Sequence, residues 1–377
     1  MNYRTFEPTG EKISLLGFGA MRLPVIGGDH NDVDEAESIA MIRKAIDSGV
    51  NYIDTAFPYH GGKSERAVGK ALKGGYREKV LLADKFPLFF VKSADDVVPI
   101  FEKQLERLDT GFIDMYLLHN INKGHLKAMK ECNVLPQVEK LRDAGKIGRI
   151  GFSFHDDLPL FKEVLDSYPW EFCQIQLNYM DAGFQAGVEG MKYAASKGVP
   201  VIIMEPLKGG KLTDSVPDAI SRLWDKAPIK RSPAEWAFRW VADFPEALTI
   251  LSGMSSMEQL DENLRILSDA DAGCLTDGER ALIGEVAEAY NRITPYSCTG
   301  CQYCMPCPSG VDIPECLQYR NDWEVYSHNE KMRELFNMWF AQEHRPSNCV
   351  ECGACEGQCP QTLPIMKALS ETAAIFE

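Results

Sequence analysis

Between residues 15 and 254 the chain alternates short apolar runs with longer stretches whose apolar residues fall three and four apart. The first pattern is that of a strand buried on both faces, the second that of an amphipathic helix. Eight runs qualify as strands: LLGFGAMRL, VNYIDTA, KVLLADKF, FIDMYLLHN, IGRIGFSF, FCQIQLNY, VPVIIMEPL and ALTILSGM. The segments between them, such as DEAESIAMIRKAIDSG, SADDVVPIFEKQLERLD and SPAEWAFRWVADF, often open on Ser or Asp and close near Gly, as capped helices do. The clearest carries Ile39, Ile42, Ala45 and Ile46 on one face. Eight β-then-α units in this length predict an α/β fold, a closed parallel (β/α)8 TIM barrel with its reacting groups at the C-terminal strand ends. An open doubly wound sheet is the competing arrangement, but no GxGxxG follows the first strand. Ahead of the barrel, RTFEPTGEKISLL reads as a hairpin turning at PTG and plugging the barrel floor. After the eighth strand two helical patterns lead to Pro295, so the barrel is assigned residues 1–292 and a small α-helical domain residues 293–377.

Charge and cysteine content narrow the function classes. The net charge of −15 opposes nucleic acid as the main partner. Residues 293–377 hold five Lys/Arg against eleven Asp/Glu, so this acidity extends to the tail. The N-terminus lacks a basic start followed by an apolar run, and no window approaches a membrane span, which predicts a cytoplasmic protein without membrane contact. In a reducing compartment, clustered cysteines read as metal ligands before disulfides.

Four polar residues stand at or just beyond the ends of strands two to four: Asp54 in NYIDTA, Tyr59 in FPYHGG, Lys85 in LADKFP and His119 in YLLHN. Each alone has a structural explanation, as a loop cap, a loop aromatic, a surface lysine and a strand-end histidine. A barrel brings them to one mouth. Together they suit proton donation to a carbonyl oxygen while hydride arrives at its carbon. A phenol with a pKa of about 10 is a weak acid, and a neighbouring ammonium lowers that value. Lys85 would supply the charge, Asp54 would hold Lys85, and His119 would orient the carbonyl.

This arrangement resembles the aldo-keto reductase superfamily of NAD(P)H-dependent barrels, over residues 10 to 265 or so. The resemblance implies Tyr59 as general acid, with Asp54, Lys85 and His119 completing a tetrad. It also implies a nicotinamide near Gly19, Met21, Arg22, Ser153, Gln174 and Met204, and a pyrophosphate by Pro206, Leu207, Gly209, Gly210 and Lys211. The adenosine end falls to Ser252, Gly253, Met254, Glu262 and Asn263. Three positions depart from the family pattern. Met204 replaces the tyrosine that many members stack on the nicotinamide, and Phe154 replaces the Asn after the carboxamide-binding Ser. Gly253 and Gln259 stand where NADPH-preferring relatives carry Lys and Arg, so NADPH, with Lys211 as a substitute charge partner, is only slightly favoured over NADH.

The tail carries two knots, Cys298, Cys301, Cys304 and Cys307 before Pro308, and Cys349, Cys352, Cys355 and Cys359 before Pro360. Successive CxxC steps closed by Cys-Pro resemble bacterial two-cluster ferredoxins, in which the cysteine before proline reaches across to the other cluster. The resemblance implies two 4Fe-4S clusters, one on Cys298, Cys301, Cys304 and Cys359 and the other on Cys349, Cys352, Cys355 and Cys307. The first knot has two residues before its last cysteine where the ferredoxin pattern has three. Zinc is the competing metal, although zinc ribbons separate their CxxC pairs by longer stretches. Cys132, Cys173 and Cys274 read as ordinary buried thiols, and Cys316 as a helix thiol or an alternative ligand. The run between the knots predicts two helices that pack the clusters against the barrel. The whole pattern resembles aldo-keto reductases with a C-terminal ferredoxin-like domain.

Three functions follow. The leading one is reduction of a small aldehyde or ketone, or oxidation of the alcohol, with the clusters structural or redox-sensing. The second is electron transfer through the clusters to a ferredoxin or flavoprotein partner. The third is a non-catalytic nicotinamide-binding sensor, against which the intact tetrad speaks.

Overall fold

The structure, a computed structural model, describes residues 1–213, 216–325 and 330–377. Its strands are β1 (Tyr3–Phe6), β2 (Glu11–Ser14), β3 (Leu16–Gly19), β4 (Tyr52–Asp54), β5 (Leu81–Pro87), β6 (Ile113–Ile121), β7 (Ile147–Phe154), β8 (Phe172–Gln176), β9 (Val201–Met204) and β10 (Ala247–Ser252). The helices are α1 (Glu35–Asp47), α2 (Lys63–Ala71), α3 (Val97–Leu108), α4 (Lys123–Glu131), α5 (Val134–Asp143), α6 (Leu158–Asp166), α7 (Gly187–Ser196) and α8 (Asp218–Trp224). They continue as α9 (Pro233–Ala242), α10 (Met257–Asp269), α11 (Asp277–Ile293), α12 (Ile313–Val325), α13 (Glu330–Trp339), α14 (Ala354–Gln358) and α15 (Ile365–Phe376).

Contacts divide the chain into two compact units, Met1–Pro206 with Ala234–Thr276, and Leu207–Pro233 with Asp277–Glu377. This line falls elsewhere than the 292/293 boundary read from the sequence. The segment after β9 groups with the long α11, on which α8 packs, and both group with the tail.

In the first unit all eight expected strands form one closed barrel, in the order β10-β3-β4-β5-β6-β7-β8-β9. Ile250 pairs with Leu16 to close the ring. Helix starts are capped by side chains: Asp34 accepts from the Glu37 N–H at 3.1 Å, and Asp157 from the Leu160 N–H at 2.9 Å. Helix α1 buries Met41, Ile42, Ala45 and Ile46, while Ile39 sits at the edge of that face, half-buried.

The expected hairpin is β1–β2, antiparallel with Phe6 opposite Glu11. Its turn closes through the Gly10 N–H to the Phe6 carbonyl at 2.8 Å, and the positive φ of 76° there suits glycine. Phe6 and Ile13 join Tyr52, Leu81, Met115, Leu117, Phe172, Ile202 and Leu248 in one buried cluster, so the hairpin stoppers the floor of the barrel. Arg149 lies 4.8 Å over the Phe6 ring and pairs with Glu11 at 2.9 Å. Because Phe6 is 1% exposed, Phe6→Ala should destabilise the protein by about 3–5 kcal/mol, read as a lower urea midpoint.

The second unit has its own core of Tyr296, Val311, Ile313, Leu317, Trp323, Phe336, Phe340, Ile365, Leu369 and Phe376, from α12, α13, α15 and the loops before them. Phe336 stacks on Phe340 at 4.5 Å, and Tyr319 meets Phe336 edge-on at 5.1 Å. Among the described residues no helix is long and apolar enough to cross a membrane.

Candidate functional site

Parallel register brings the four predicted residues together. Asp54 is the last residue of β4 and pairs with Ala83 of β5, two residues before Lys85. Lys85 pairs with Leu117 of β6, and Pro87 with His119. Tyr59 follows β4 in a tight turn whose shape depends on its neighbour. His60 has a φ of 50°, accepts the Leu23 N–H on Nε2 at 3.2 Å, and donates from Nδ1 to the His30 carbonyl at 2.5 Å. These partners assign a neutral ring, and burial lowers the His60 pKa in agreement.

Lys85 is fully buried and its ammonium is the hub of the site. It donates to Asp54 Oδ1 at 2.6 Å, to the Thr55 carbonyl at 2.8 Å and to Tyr59 Oη at 3.4 Å. The His119 ring stands edge-on to Tyr59, with centroids 5.9 Å apart. Phe89 covers His119 at the same separation.

The acidity of Tyr59 runs opposite to the sequence expectation. Burial raises its pKa well above 10, and Asp54, Glu205 and Asp84 raise it further, with Arg22 opposing. Lys85 cannot reverse this because its charge is compensated by Asp54 at 2.6 Å. Burial likewise raises Asp54 against the pull of Lys85. His119 is lowered well below 6.5 by burial, then by Lys85, His155 and His125, so its imidazole is neutral. The site therefore holds a protonated phenol, a compensated ammonium and a neutral imidazole around one mouth.

The residues expected to hold a nicotinamide fit that group on an observation of this structure. Gln174 Oε1 is buried without a hydrogen-bond partner, beside Ser153, its register partner on β7. Gln174 spends its Nε2 on the Met204 sulfur at 3.4 Å. An amide-bearing ring would supply the missing donor. Gly19 ends β3, with Met21 and Arg22 in the turn after it, and Gly253 follows β10 so closely that a Cβ there would lie 3.2 Å from the Arg22 side chain. Asn263 is buried and donates to Ser252 Oγ at 2.9 Å, so it secures the end of β10. Met254 is buried, and Glu262 half-buried, on the segments that follow. Pro206 closes the first unit; Leu207, Gly209, Gly210 and Lys211 open the second, with Gly209 at φ 67° and Gly210 at φ 93° in a turn that only glycine adopts freely.

The sequence did not single out His125, His155 or Glu205. His125 and His155 bear on His119, and Glu205 on Tyr59. A signal existed for Glu205, which sits inside the MEPL run that departs from the family pattern, and it adopts φ 57°, a strained value for a side chain of its length.

In the second unit one thiol of the second knot reaches the first. The charges that raise Cys304, after burial, are those of Cys301, Cys298 and Cys359, so the last cysteine of the second knot lies beside three of the first. Cys359 is raised by burial, while the N–H groups of Leu363, Gln361 and Thr362 bond its sulfur and favour the thiolate. The Gly300 N–H reaches the Cys298 sulfur at 3.4 Å. Such N–H···S bonds stabilise cluster thiolates, and this donor set fits an iron-sulfur cubane. Cys316 is buried in the core, its thiol directed to the His344 carbonyl at 3.9 Å, as an ordinary helix thiol would be.

Comparison with known proteins agrees with both halves. A family model described as the aldo/keto reductase family matches residues 15–272, and one described as a 4Fe-4S dicluster domain matches residues 297–363. L-galactose dehydrogenase of Arabidopsis thaliana is 30% identical over 295 residues, covering 71% of this chain and 89% of that protein. Among solved structures, the holo form of aldo-keto reductase AKR11C1 from Bacillus halodurans superposes with a TM-score of 0.64 at 25% identity, covering 77% of this chain and 97% of that one. An aldo/keto reductase from Klebsiella pneumoniae in complex with NADP and acetate gives a TM-score of 0.59 at 25% identity, covering 74% and 93%.

Proposed function

The chain belongs to the aldo/keto reductase family, with a 4Fe-4S dicluster domain at its C-terminal end, and from that premise we propose that it reduces a small aldehyde or ketone with NADPH or NADH, or oxidises the corresponding alcohol. The observation that carries this reading is the buried Tyr59–Lys85–Asp54 chain of contacts beside a neutral His119. A phenol held protonated by its surroundings is a proton reservoir for the alkoxide formed as a carbonyl is reduced. Lys85, at 3.4 Å, faces the phenolate left behind, and Asp54, at 2.6 Å, holds that ammonium in place. His119, neutral, donates a hydrogen bond to the carbonyl oxygen without competing for the proton. The nicotinamide supplies the hydride when bound; Ser153 and Gln174 hold and orient its carboxamide. The NADP complex of the Klebsiella pneumoniae relative supports this choice of cofactor.

Two 4Fe-4S clusters are proposed for the tail, on Cys298, Cys301, Cys304 and Cys359, and on Cys349, Cys352, Cys355 and Cys307. Their role is structural or redox-sensing, since hydride moves electrons in pairs and a cubane takes them singly. A second reading, exchange with an external ferredoxin or flavoprotein, is favoured by one observation: Cys352 is exposed, giving an outside partner a short path to that cluster.

The experiment is anaerobic purification with iron and sulfide counts, followed by carbonyl-dependent oxidation of NADPH and of NADH. Turnover with at least one small aldehyde or ketone is expected. Tight nucleotide binding without turnover on any carbonyl or alcohol would replace this reading with the sensor. A reduced-cluster EPR signal on adding NAD(P)H alone would favour the electron-transfer reading.

A further inference from the structure

Behind Lys85, on the outer face of β5, lies a buried polar set that the proposed reaction does not use. Strand alternation that turns Lys85 inward turns Asp84 outward, toward α2 and α3. Asp84 Oδ1 accepts the Lys85 N–H at 2.8 Å and Oδ2 accepts Gln104 Nε2 at 2.8 Å. Gln104 also donates to the Lys85 carbonyl at 3.0 Å, and its Oε1 accepts the Tyr116 hydroxyl at 2.5 Å. From α2, Glu65 accepts Arg107 Nη1 on Oε2 at 2.6 Å, and Arg107 also donates to the Phe57 carbonyl at 3.1 Å. Glu65, Asp84, Gln104 and Tyr116 are all fully buried.

The remaining Glu65 oxygen, Oε1, is buried and receives no N–H or alcohol donor. The two carboxyl groups, packed against neighbouring turns of α3 through Arg107 and Gln104, lie within hydrogen-bonding reach of each other. Two carboxyl groups can bond only if one keeps its proton. Charge agrees. Asp54 and Lys85 cancel, and Arg107 can offset one further anion; ionising both Glu65 and Asp84 would leave an uncompensated charge in the interior.

We propose that Glu65 and Asp84 share one proton, and that the single negative charge they retain behind Lys85 is a positioning device, fixing the Lys85 backbone and opposing ionisation of Tyr59. This inference rests on Tyr59 as the proton donor. The groups facing the pair are Arg107 and Gln104 from α3, Tyr116 from β6, and Lys85 with Asp54 from the barrel interior. Burial raises both carboxyl pKa values, and Asp84 is among the charges that raise Tyr59.

Three measurements test it on the full-length, cluster-loaded protein. Infrared spectroscopy at neutral pH should show a protonated-carboxyl band that Glu65→Gln removes. Glu65→Gln copies the protonated form, its amide donating to Asp84 and its oxygen accepting Arg107. A carboxyl raised in the folded state costs stability as pH rises toward its folded pKa, so the wild type should lose melting temperature on going alkaline and Glu65→Gln should lose less. The double variant Glu65→Gln/Asp84→Asn, which removes the anion whichever carboxyl carries it, should move the alkaline limb of kcat/KM down by about one pH unit. No protonated-carboxyl band in the wild type, or a Glu65→Gln protein destabilised at neutral pH as if an ion pair had been broken, overturns the shared proton. A folded Glu65→Gln/Asp84→Asn protein with an unmoved alkaline limb overturns its effect on Tyr59. If the wild type turns over no carbonyl, the proposed reaction fails while the infrared and melting comparisons still decide whether the proton is shared.

Discussion

Replacing Tyr59 by Phe should reduce kcat for carbonyl reduction by about 10²–10⁴, roughly 3–5 kcal/mol of transition-state stabilisation, with little change in NADPH or NADH affinity. The substitution removes one oxygen and keeps the ring, which is 9% exposed and packs edge-on against His119 at 5.9 Å. It takes from Lys85 only its longest contact, at 3.4 Å; the bonds to Asp54 at 2.6 Å and to the Thr55 carbonyl at 2.8 Å hold the ammonium in place. The fold should therefore survive, and the loss should fall on proton delivery. Fluorescence titration of the nucleotide separates binding from chemistry, and steady-state NAD(P)H oxidation measures the chemistry. The pH profile adds an independent reading: the alkaline limb of the wild type, set by a phenol that its surroundings hold protonated, should vanish in the variant. Residual activity within a few-fold of wild type would remove Tyr59 from the mechanism.

The barrel was legible because every one of its strands is an apolar run bounded by polar, helix-patterned sequence, and the missing GxGxxG spoke against an open sheet as the other use for eight such runs. The hairpin was legible from its turn residues, and its place on the barrel floor follows from Phe6 and Ile13, which have no other apolar surface to cover. The tetrad was legible as an ordered set of residues at strand ends. Its electrostatics were not. A sequence displays Lys85 as a charge near a phenol; only the fold shows that Asp54 neutralises that charge while burial and three carboxylates act the other way. The compact-unit boundary was hidden for a similar reason. The periodicity of α11 announces a helix with a buried face and does not say that α8, far back in the chain, is what covers it. Asp84 is visible beside Lys85, but Glu65 sits on a separate element, helix α2, and nothing short of the packed fold shows that both are buried against α3 through Gln104 and Arg107.

Removing a thiol ligand from the tail should have the largest effect on the second unit. The core there is small, and Cys298, Cys304, Cys307, Cys349, Cys355 and Cys359 pack directly on it, so whatever the thiols bind becomes part of what holds the unit together. Serine offers a hard hydroxyl in place of a thiolate and is a poor ligand for iron-sulfur clusters. Cys298→Ser and Cys359→Ser should each cost one cluster, halving the iron and sulfide content, and should make the second unit easier to unfold in urea. The proposed ligation makes a sharper demand, because Cys304 is surrounded by Cys298 and Cys301 of its own knot and by Cys359 of the other. If these four hold one cluster, the double variant Cys298→Ser/Cys359→Ser loses no more iron than either single variant. If each knot holds its own cluster, the double variant loses both. The comparison therefore reads the crossing directly from an iron assay, and a fully iron-free double variant beside two half-loaded single variants would show the knots to be independent.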